Sequence, residues 1–355
     1  MAGERVVIAM SGGVDSSVAA ALLVEKRYEV IGLMMRLWSE PGSGDGNRCC
    51  APDAVDSARH VAEVLDMPFY LYNVEAPFRT YVVDYFVREY TAGRTPNPCL
   101  MCNRHIRFDV LLRRALALEA QYLATGHYVR LHHADGRYRL LQGVDLAKDQ
   151  SYVLYMLNQE ILQHVLFPLG DYTKRQVRQI ARQRGLPVAD RAESQDLCFL
   201  ADRDYRHFLE KEAAQAVRPG SIVDRSGRVL GEHRGLPFYT IGQRRGLGIA
   251  APEALYVLEI DAVRNALVVG TAAELGRTDL TAGGVSYISG EAPGESLHVT
   301  AKIRYKAREA PALLTPLPDG RAELRFDHPL RDITPGQGVV FYRGQELLGG
   351  GIIER

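Results

Sequence analysis

Val6-Val7-Ile8-Ala9-Met10 is an unbroken, largely β-branched apolar run, the pattern of a strand covered on both faces. It stops at Ser11-Gly12-Gly13. Val14, Val18 and Leu22 then recur at a spacing of four, which predicts a helix with one apolar face. The alternation continues down the chain. Glu29-Val30-Ile31-Gly32-Leu33-Met34-Met35 reads as a second parallel strand, residues 53–65 as a helix, and Phe69-Tyr70-Leu71-Tyr72-Asn73-Val74 as a third strand. Helices are expected over residues 80–90 and 106–118, followed by a strand at Tyr122-Leu123-Ala124-Thr125. Buried strands alternating with helices predict an α/β fold with a doubly wound, mostly parallel sheet. Val129-Arg130-Leu131 and Tyr138-Arg139-Leu140-Leu141 predict a hairpin around Asp135-Gly136. The polar knot Lys148-Asp149-Gln150-Ser151-Tyr152 precedes an apolar run expected to be helical. Thr173-Lys174-Arg175-Gln176 is a capping box for a helix ending near Arg184, with Gly185 as its stop.

Beyond about residue 206 the alternation ends. Residues 220–231 have a hairpin pattern, and residues 256–260 and 267–269 flank a turn at Arg264-Asn265, which predicts a small β-rich central domain. Short strands then recur at 297–303, 322–326, 339–342 and 347–353, punctuated by Pro and Gly as in a small β-barrel. The expected domains are residues 1–206, 207–271 and 272–355.

Composition narrows this picture. At 355 residues the chain exceeds one ordinary core, and 46% hydrophobic with 24% charged residues is the balance of a soluble globular protein. The formal net charge is zero, so any nucleic acid must be held by local clusters. Two such clusters stand out: Lys174, Arg175, Arg178, Arg182 and Arg184 on largely exposed helical positions, and Lys302-Ile303-Arg304-Tyr305-Lys306-Ala307-Arg308, where basic and aromatic residues interleave. No apolar run reaches membrane-spanning length and the first residues carry no export signal. Five cysteines, an odd number, then point to a reducing cytoplasm and to thiols kept for reactivity or metal.

The candidate chemistry starts at the first turn. A strand, a glycine turn and a helix start form a backbone anion cradle, because the N–H groups of the first helical turn have no partners within the helix. Gly12 and Gly13 let the main chain approach a phosphate, Ser11, Ser16 and Ser17 add hydroxyls, and Asp15 is placed to hold a cation or cap the first turn. No Lys lies inside the loop, so it is not a Walker A motif. Ligands of such sheets sit beyond the carboxyl ends of strands, which places Met35 against a nucleotide base and Gly126 close to ATP. Three thiols have uncommon settings. Cys99 and Cys102 stand one turn apart near a helix start behind Pro96 and Pro98, where thiol pKa falls. Cys198 follows Glu193-Ser194-Gln195-Asp196-Leu197. Cys49-Cys50 are read as loop thiols, since adjacent cysteines do not easily chelate one metal.

The loop Ser11-Gly12-Gly13-Val14-Asp15-Ser16 is similar to that of the ATP pyrophosphatases, or PP-loop enzymes. With Asn97-Pro98-Cys99, Cys102-Asn103, Gly126-His127-Tyr128, Lys148-Asp149-Gln150, Ser194-Gln195-Asp196-Leu197-Cys198-Phe199, Thr240-Ile241-Gly242-Gln243-Arg244 and Arg304-Tyr305, the chain resembles the bacterial tRNA-specific 2-thiouridylases over essentially its full length. The resemblance implies ATP-dependent 2-thiolation of the wobble uridine of tRNAs for Lys, Glu and Gln. AMP and pyrophosphate are released, and sulfur arrives as persulfide from a cysteine desulfurase or sulfur-relay protein. It also implies that Cys198 carries the persulfide and that Cys102 attacks it or resolves it through a disulfide. Asn97, Pro98 and Cys99 would surround the flipped base. Ala9, Met10, Ser11, Gly12, Gly13, Val14, Asp15 and Ser16, with Met35 and Gly126, would hold ATP with Mg2+. His127, Lys148, Asp149, Gln150, Arg304, Tyr305 and Gln337 would contact tRNA. Some relatives carry Asp where this chain has Cys99, so no carboxylate role carries over. The thiol instead gives Cys99, Cys102 and Cys198 as three ligands for a [4Fe-4S] cluster with one open iron, a second route to sulfur transfer. Two further readings are a small-molecule ATP-pyrophosphatase ligase, which would not require Cys102 and Cys198, and an RNA-binding or sulfur-carrier protein with a vestigial nucleotide loop.

Overall fold

A computed structural model describes residues 3–40, 52–191, 197–200 and 204–355 of the chain. Cys49, Cys50, Glu193, Ser194, Gln195 and Asp196 lie outside the described residues.

The N-terminal sheet contains β1 (Arg5–Met10), β2 (Glu29–Arg36), β3 (Phe69–Asn73), β4 (Tyr122–Ala124) and β7 (Val165–Leu166), in the order β3-β2-β1-β4-β7 and parallel throughout. Residues alternate between its faces, as the strand period demands. Val7 and Ala9 of β1 join one apolar cluster with Ile31, Leu33 and Met35 of β2, while Val6, Ile8 and Met10 join another with Val30 and Met34. Helix α1 (Val14–Glu25), helix α2 (Pro52–Val64) and helix Lys174–Gln183 cover the second face, burying Val18, Ala58 and Val177 there. A segmented helix over residues 75–91 and another over residues 98–117 cover the first. The doubly wound reading therefore holds. α1 differs in one respect: it buries nearly its whole circumference, Ala19, Ala20 and Ala21 included, because it lies between the sheet and helix Lys174–Gln183. An apolar stripe at spacing four was too narrow a description of a helix covered on two sides.

The hairpin β5 (Val129–Ala134) and β6 (Arg137–Gln142) turns at Asp135 and Gly136, with φ of 54° and 71°. Two successive left-handed residues match the twist of the flanking strands. After it, the apolar stretch is not a long helix. Ser151–Leu154 make one 3-10 turn, and Tyr152, Val153, Leu154, Tyr155, Met156 and Leu157 are all buried, so no exposed face exists to give helical periodicity.

The central sheet, β8 (Gly220–Val223), β9 (Val229–His233), β10 (Tyr256–Asp261) and β11 (Ala266–Gly270), runs in the order β10-β11-β8-β9. Strands β12 (Arg277–Tyr287), β13 (Leu297–Lys302), β14 (Ala310–Pro316), β15 (Ala322–Leu330), β16 (Gly338–Arg343) and β17 (Glu346–Ile353) close into a barrel, because β17 pairs with both β16 and β12. β17 also pairs with β6, Leu347 opposite Leu140, which joins the hairpin of the first domain to the barrel's sheet. Among the described residues no helix is long and apolar enough to cross a membrane.

Candidate active site

The parallel sheet changes direction at β1: the chain leaves it toward β2 and β3, then returns to add β4 on the other side. At such a switch point the loops after neighbouring strands diverge and leave a crevice. The loop after β1 is Ser11-Gly12-Gly13, and the one after β4 carries Gly126. The two touch. A Cβ on Gly126 would stand 2.9 Å from the Ser16 nitrogen and 3.0 Å from the Asp15 carbonyl carbon.

The loop is shaped by its own hydroxyls. Ser16 Oγ and Ser17 Oγ donate to the Gly13 carbonyl at 3.1 and 2.9 Å, and the Ser11 N–H donates to Ser16 Oγ at 3.2 Å. Gly12 has φ +69°, and a Cβ there would lie 2.3 Å from the Ala54 carbonyl oxygen. Gly13 is the N-cap of α1 and supplies no side-chain cap, so the first-turn N–H groups face an anion's position without a competing acceptor from that residue. This fits a polyphosphate. Met35, at the carboxyl end of β2, is buried on the cluster that includes Ala9.

Three residues that sequence reasoning did not assign to the loop surround it. Lys174 Nζ lies 2.7 and 2.8 Å from the two Asp15 carboxylate oxygens, and the Tyr128 hydroxyl donates to Asp15 Oδ1 at 2.7 Å. Arg191 donates to the Gly12 carbonyl at 3.0 Å and to Ser57 Oγ at 2.8 Å. Helix Lys174–Gln183 is thus not the open basic face expected from its sequence. Besides Lys174 on Asp15, Arg178 donates to the Ala189 and Arg191 carbonyls at 2.9 and 3.2 Å, Arg182 pairs with Asp190 at 2.9 Å, and Arg184 pairs with Glu25.

The two thiol-bearing segments pack against one helical stretch, residues 75–91. Asn97 caps the turn Pro98–Met101 by accepting from the Cys99 N–H at 3.1 Å, and Asn103 Nδ2 donates to the Cys99 carbonyl at 3.1 Å. From Cys102 to Leu111 the helix opens into π turns, a rare departure from α geometry that is frequent at functional sites. His105 on this helix stacks on Tyr81 with ring centroids 4.6 Å apart. The same segment, residues 75–91, also receives the Cys198 stretch. Phe199 packs edge-on to Phe78 and Phe86 at 6.1 and 5.3 Å. Cys99 is exposed, and Cys102 and Cys198 are half-buried against the cluster that contains Ala9 and Met35. Among the described residues, which include these three cysteines, no group of three His, Cys, Asp or Glu side chains converges as a metal donor set. The proposed three-thiolate cluster site is therefore not supported.

The residues expected at tRNA fall into two groups. Arg304, Tyr305 and Gln337 lie near the Asn97 turn, where loops from all three parts of the chain meet. Gln337 Nε2 donates to the Thr95 carbonyl at 2.8 Å, Thr95 Oγ1 lies 3.1 Å from Thr240 Oγ1, and Arg304 donates to the Ile241 carbonyl at 3.2 Å and to Thr334 Oγ1. Tyr305 is partly exposed, 5.9 Å from the Tyr152 ring, and its phenol is raised in pKa by burial, with Asp149 and Cys99 adding to the effect. Residues 303–309 form the turn between β13 and β14, and Lys302, the last residue of β13, points inward, 3.6 Å from Asp149 and 3.7 Å from Glu309.

The second group is internal. Gln150 accepts from the Tyr128 N–H at 3.0 Å, Asp149 is buried and accepts from Ser151 Oγ at 2.8 Å, and Lys148 is half-buried. His127 is buried between Phe108 and Phe167, with Nδ1 2.7 Å from Thr125 Oγ1. Burial, with Arg107 adding, holds its imidazole well below the usual 6.5. The folded state refuses a proton that the unfolded chain accepts. Stability is therefore complete above about pH 6.5 and declines as pH falls below it, by at most about 1.4 kcal/mol per pH unit. Urea unfolding at pH 7 and pH 5 should show a smaller acid loss for His127→Gln than for the unaltered chain; equal losses would contradict this.

Comparison with known proteins places the geometry in context. Three family models match in succession: a tRNA methyl transferase HUP domain over residues 4–202, a tRNA methyl transferase PRC-barrel domain over 206–271, and an aminomethyltransferase beta-barrel domain over 277–353. The tRNA-specific 2-thiouridylase MnmA of Moorella thermoacetica is 53% identical, the match covering 98% of this chain and 99% of that protein. Those of Pelotomaculum thermopropionicum and Chloroflexus aurantiacus are each 51% identical, covering 100% and 99% of this chain and 98% of each relative.

Proposed function

Because the chain belongs to the tRNA-specific 2-thiouridylases, we propose that it activates the C2 oxygen of a tRNA uridine with ATP and replaces that oxygen with sulfur carried on its own thiols. The overall reaction is ATP-dependent formation of 2-thiouridine in tRNA, that of a tRNA-uridine 2-sulfurtransferase. All three matching family descriptions speak of methyl or aminomethyl transfer. A pyrophosphate-gripping loop and paired thiols have no part in that chemistry and belong with thiolation.

Our assignment gives residues 1–206 the catalysis, 207–271 a bridging role and 272–355 contacts to tRNA. The target is the wobble uridine of tRNAs for Lys, Glu and Gln, and the setting is the cytoplasm, where tRNA and reduced thiols coexist. Ala9 to Ser16, Met35 and Gly126 hold ATP; the magnesium that accompanies it would neutralise phosphate charge, and the Asp15 carboxylate would hold that ion. Asn97, Pro98 and Cys99 border the base, beside Asn103, whose Oδ1 is buried with no hydrogen-bond partner among the described residues and would be satisfied by a donor on the base. His127, Lys148, Asp149, Gln150, Arg304, Tyr305 and Gln337 support or contact the tRNA around it.

In the first step the uracil O2 bonds to the α-phosphorus and the uracil gives up its N3 proton. The bond from that phosphorus to the bridging oxygen breaks, its electrons leaving with pyrophosphate. The terminal sulfur of a persulfide on Cys198 then bonds to C2, and the C2–O bond breaks with AMP as leaving group. The Cys102 thiolate next attacks Cys198 Sγ. The bond to the transferred sulfur breaks, its electrons stay with the thiouracil, and Cys102 and Cys198 end as a disulfide. An external thiol reduces the disulfide, and a cysteine desulfurase or relay protein recharges Cys198. What supports this reading most is the contact between the loop after β1 and Gly126 after β4 at the sheet's switch point, with both thiol segments packed on residues 75–91.

Incubation of the protein with tRNA, ATP and a persulfide donor should yield 2-thiouridine by nucleoside mass spectrometry, with one AMP and one pyrophosphate per thiolation. Release of ADP and phosphate instead would reject the adenylation route.

A further inference from the structure

The turn between β13 and β14 carries Arg304 and Tyr305, and a connection of this kind is ordinarily among the more mobile parts of a fold. This one is fastened at both stems. At its entry, Lys302 Nζ lies 3.6 Å from Asp149 Oδ2 and 3.7 Å from Glu309 Oε1, with the Tyr342 ring centre 5.4 Å away. At its exit, Glu309 Oε1 accepts from Gln142 Nε2 at 2.6 Å and Oε2 accepts from Thr300 Oγ1 at 2.6 Å. Gln142 ends β6, and Asp149 lies in the loop that follows it. Both stems of a barrel turn are thus tied to the segment that also carries Lys148 and Gln150.

Asp149 is held equally from its own side. Its Oδ1 accepts from the Gly143 and Ser151 N–H groups at 3.1 and 3.2 Å, and Oδ2 accepts from Ser151 Oγ at 2.8 Å. Each carboxylate oxygen therefore has two partners, which leaves Asp149 nothing to offer an RNA. Its side chain is 1% exposed and that of Lys302 15%, so salt screens the pair little.

On the reading of Arg304 and Tyr305 as tRNA contacts, we propose that Lys302, with Asp149, Glu309 and Gln142, is a clamp that sets the 303–309 turn in place for tRNA. Lys302 and Asp149 are positioning residues and touch no RNA themselves. The clamp makes one surface of two elements far apart in the chain, the Lys148–Gln150 loop and the Arg304–Tyr305 turn. A tRNA that meets this surface does not have to order the turn at the expense of its own binding.

The test is a gel-shift titration of an unmodified lysine tRNA transcript, at one salt concentration, against the full chain and its Tyr305→Ala, Lys302→Met and Lys302→Arg variants. Tyr305→Ala and Lys302→Met are each expected to weaken tRNA binding about 10-fold, the scale of one lost stacking or charge-assisted contact. Joined in one chain, they should cost about as much as either alone, because a displaced turn has already withdrawn its tyrosine. Lys302→Arg should bind within a few-fold of the unaltered chain, and Mg-ATP should bind all four variants alike. Undiminished tRNA binding by Tyr305→Ala would remove the tRNA reading of the turn, and the proposal with it. Weakening by Tyr305→Ala but not by Lys302→Met would overturn the proposal alone. So would a loss of about 100-fold in the double variant, the product expected of two independent contacts, or an equal loss of Mg-ATP affinity in Lys302→Met. Should Lys302→Met not fold, because it strands a buried carboxylate, Lys302→Met with Asp149→Asn removes that charge and the clamp together. The same weakening of tRNA binding is expected there, and normal affinity would overturn the proposal.

Discussion

Replacing Cys198 by Ser is expected to end thiolation, lowering 2-thiouridine yield on the order of a thousand-fold or more, the scale seen when a covalent nucleophile is removed. Nothing in the substitution disturbs the glycine loop, so pyrophosphate release on addition of tRNA should continue. The persulfide has no sulfur to ride on, and the adenylated uridine waits. Cys102→Ser should block one step later. The terminal sulfur still reaches C2, but no thiolate arrives to cut it from Cys198, and tRNA accumulates joined to the protein through a disulfide. Gel mobility with and without reductant distinguishes the two variants: a reductant-sensitive tRNA adduct is expected from Cys102→Ser and none from Cys198→Ser. Full thiolation by either variant from a persulfide donor would reject the roles assigned to these thiols.

The second large effect is expected at Gly12. Alanine there suffers twice. A residue with a Cβ costs about 1–2 kcal/mol in the left-handed region, and φ is +69°. The new methyl would also lie 2.3 Å from the Ala54 carbonyl oxygen, a backbone atom that cannot swing away. Relief must come from the loop itself, which carries the N–H groups and the Gly12 carbonyl that Arg191 holds. Gly12→Ala should therefore raise the dissociation constant for ATP by about 100-fold or more, on the scale of two to three lost charge-assisted hydrogen bonds. Far-UV circular dichroism should remain unchanged, because the strain is confined to one turn. Normal ATP affinity in this variant would mean that the nucleotide sits elsewhere.

The parts of the fold that declared themselves in the sequence are those written in local physics. β1 and its glycine turn, the Thr173 capping box and the Asp135-Gly136 turn each depend on residues within a few positions of one another. What stayed hidden depends on distant partners. Lys174 has the period of an exposed helical position, and only the folded chain brings Asp15, 159 residues earlier, against it. The pairing of β6 with β17 joins Leu140 to Leu347, a register that no window of sequence contains. β14 was missed because Pro311 and Pro316 bracket its few apolar residues, and β12 because Gly283 and Gly284 interrupt its alternation. Lys302 counts by sequence among the basic residues of a nucleic-acid cluster, and the carboxylate that turns it inward, Asp149, lies far away in the chain. The thiols were legible as chemistry but not as geometry. That the segments carrying Cys102 and Cys198 pack on the same helical stretch follows from Tyr81, Phe78 and Phe86, aromatic residues whose sequence pattern says only that they are core.

The route taken by one oxygen atom tests the central claim most directly. In tRNA whose uridine carries oxygen-18 at C2, adenylation makes that oxygen part of a bond to phosphorus, and sulfur attack leaves it there. Mass spectrometry of the products of one turnover should find the label in AMP, one atom for each 2-thiouridine formed. Label recovered in water or inorganic phosphate, with unlabelled AMP, would show that the uridine oxygen never bonded to the α-phosphorus of ATP.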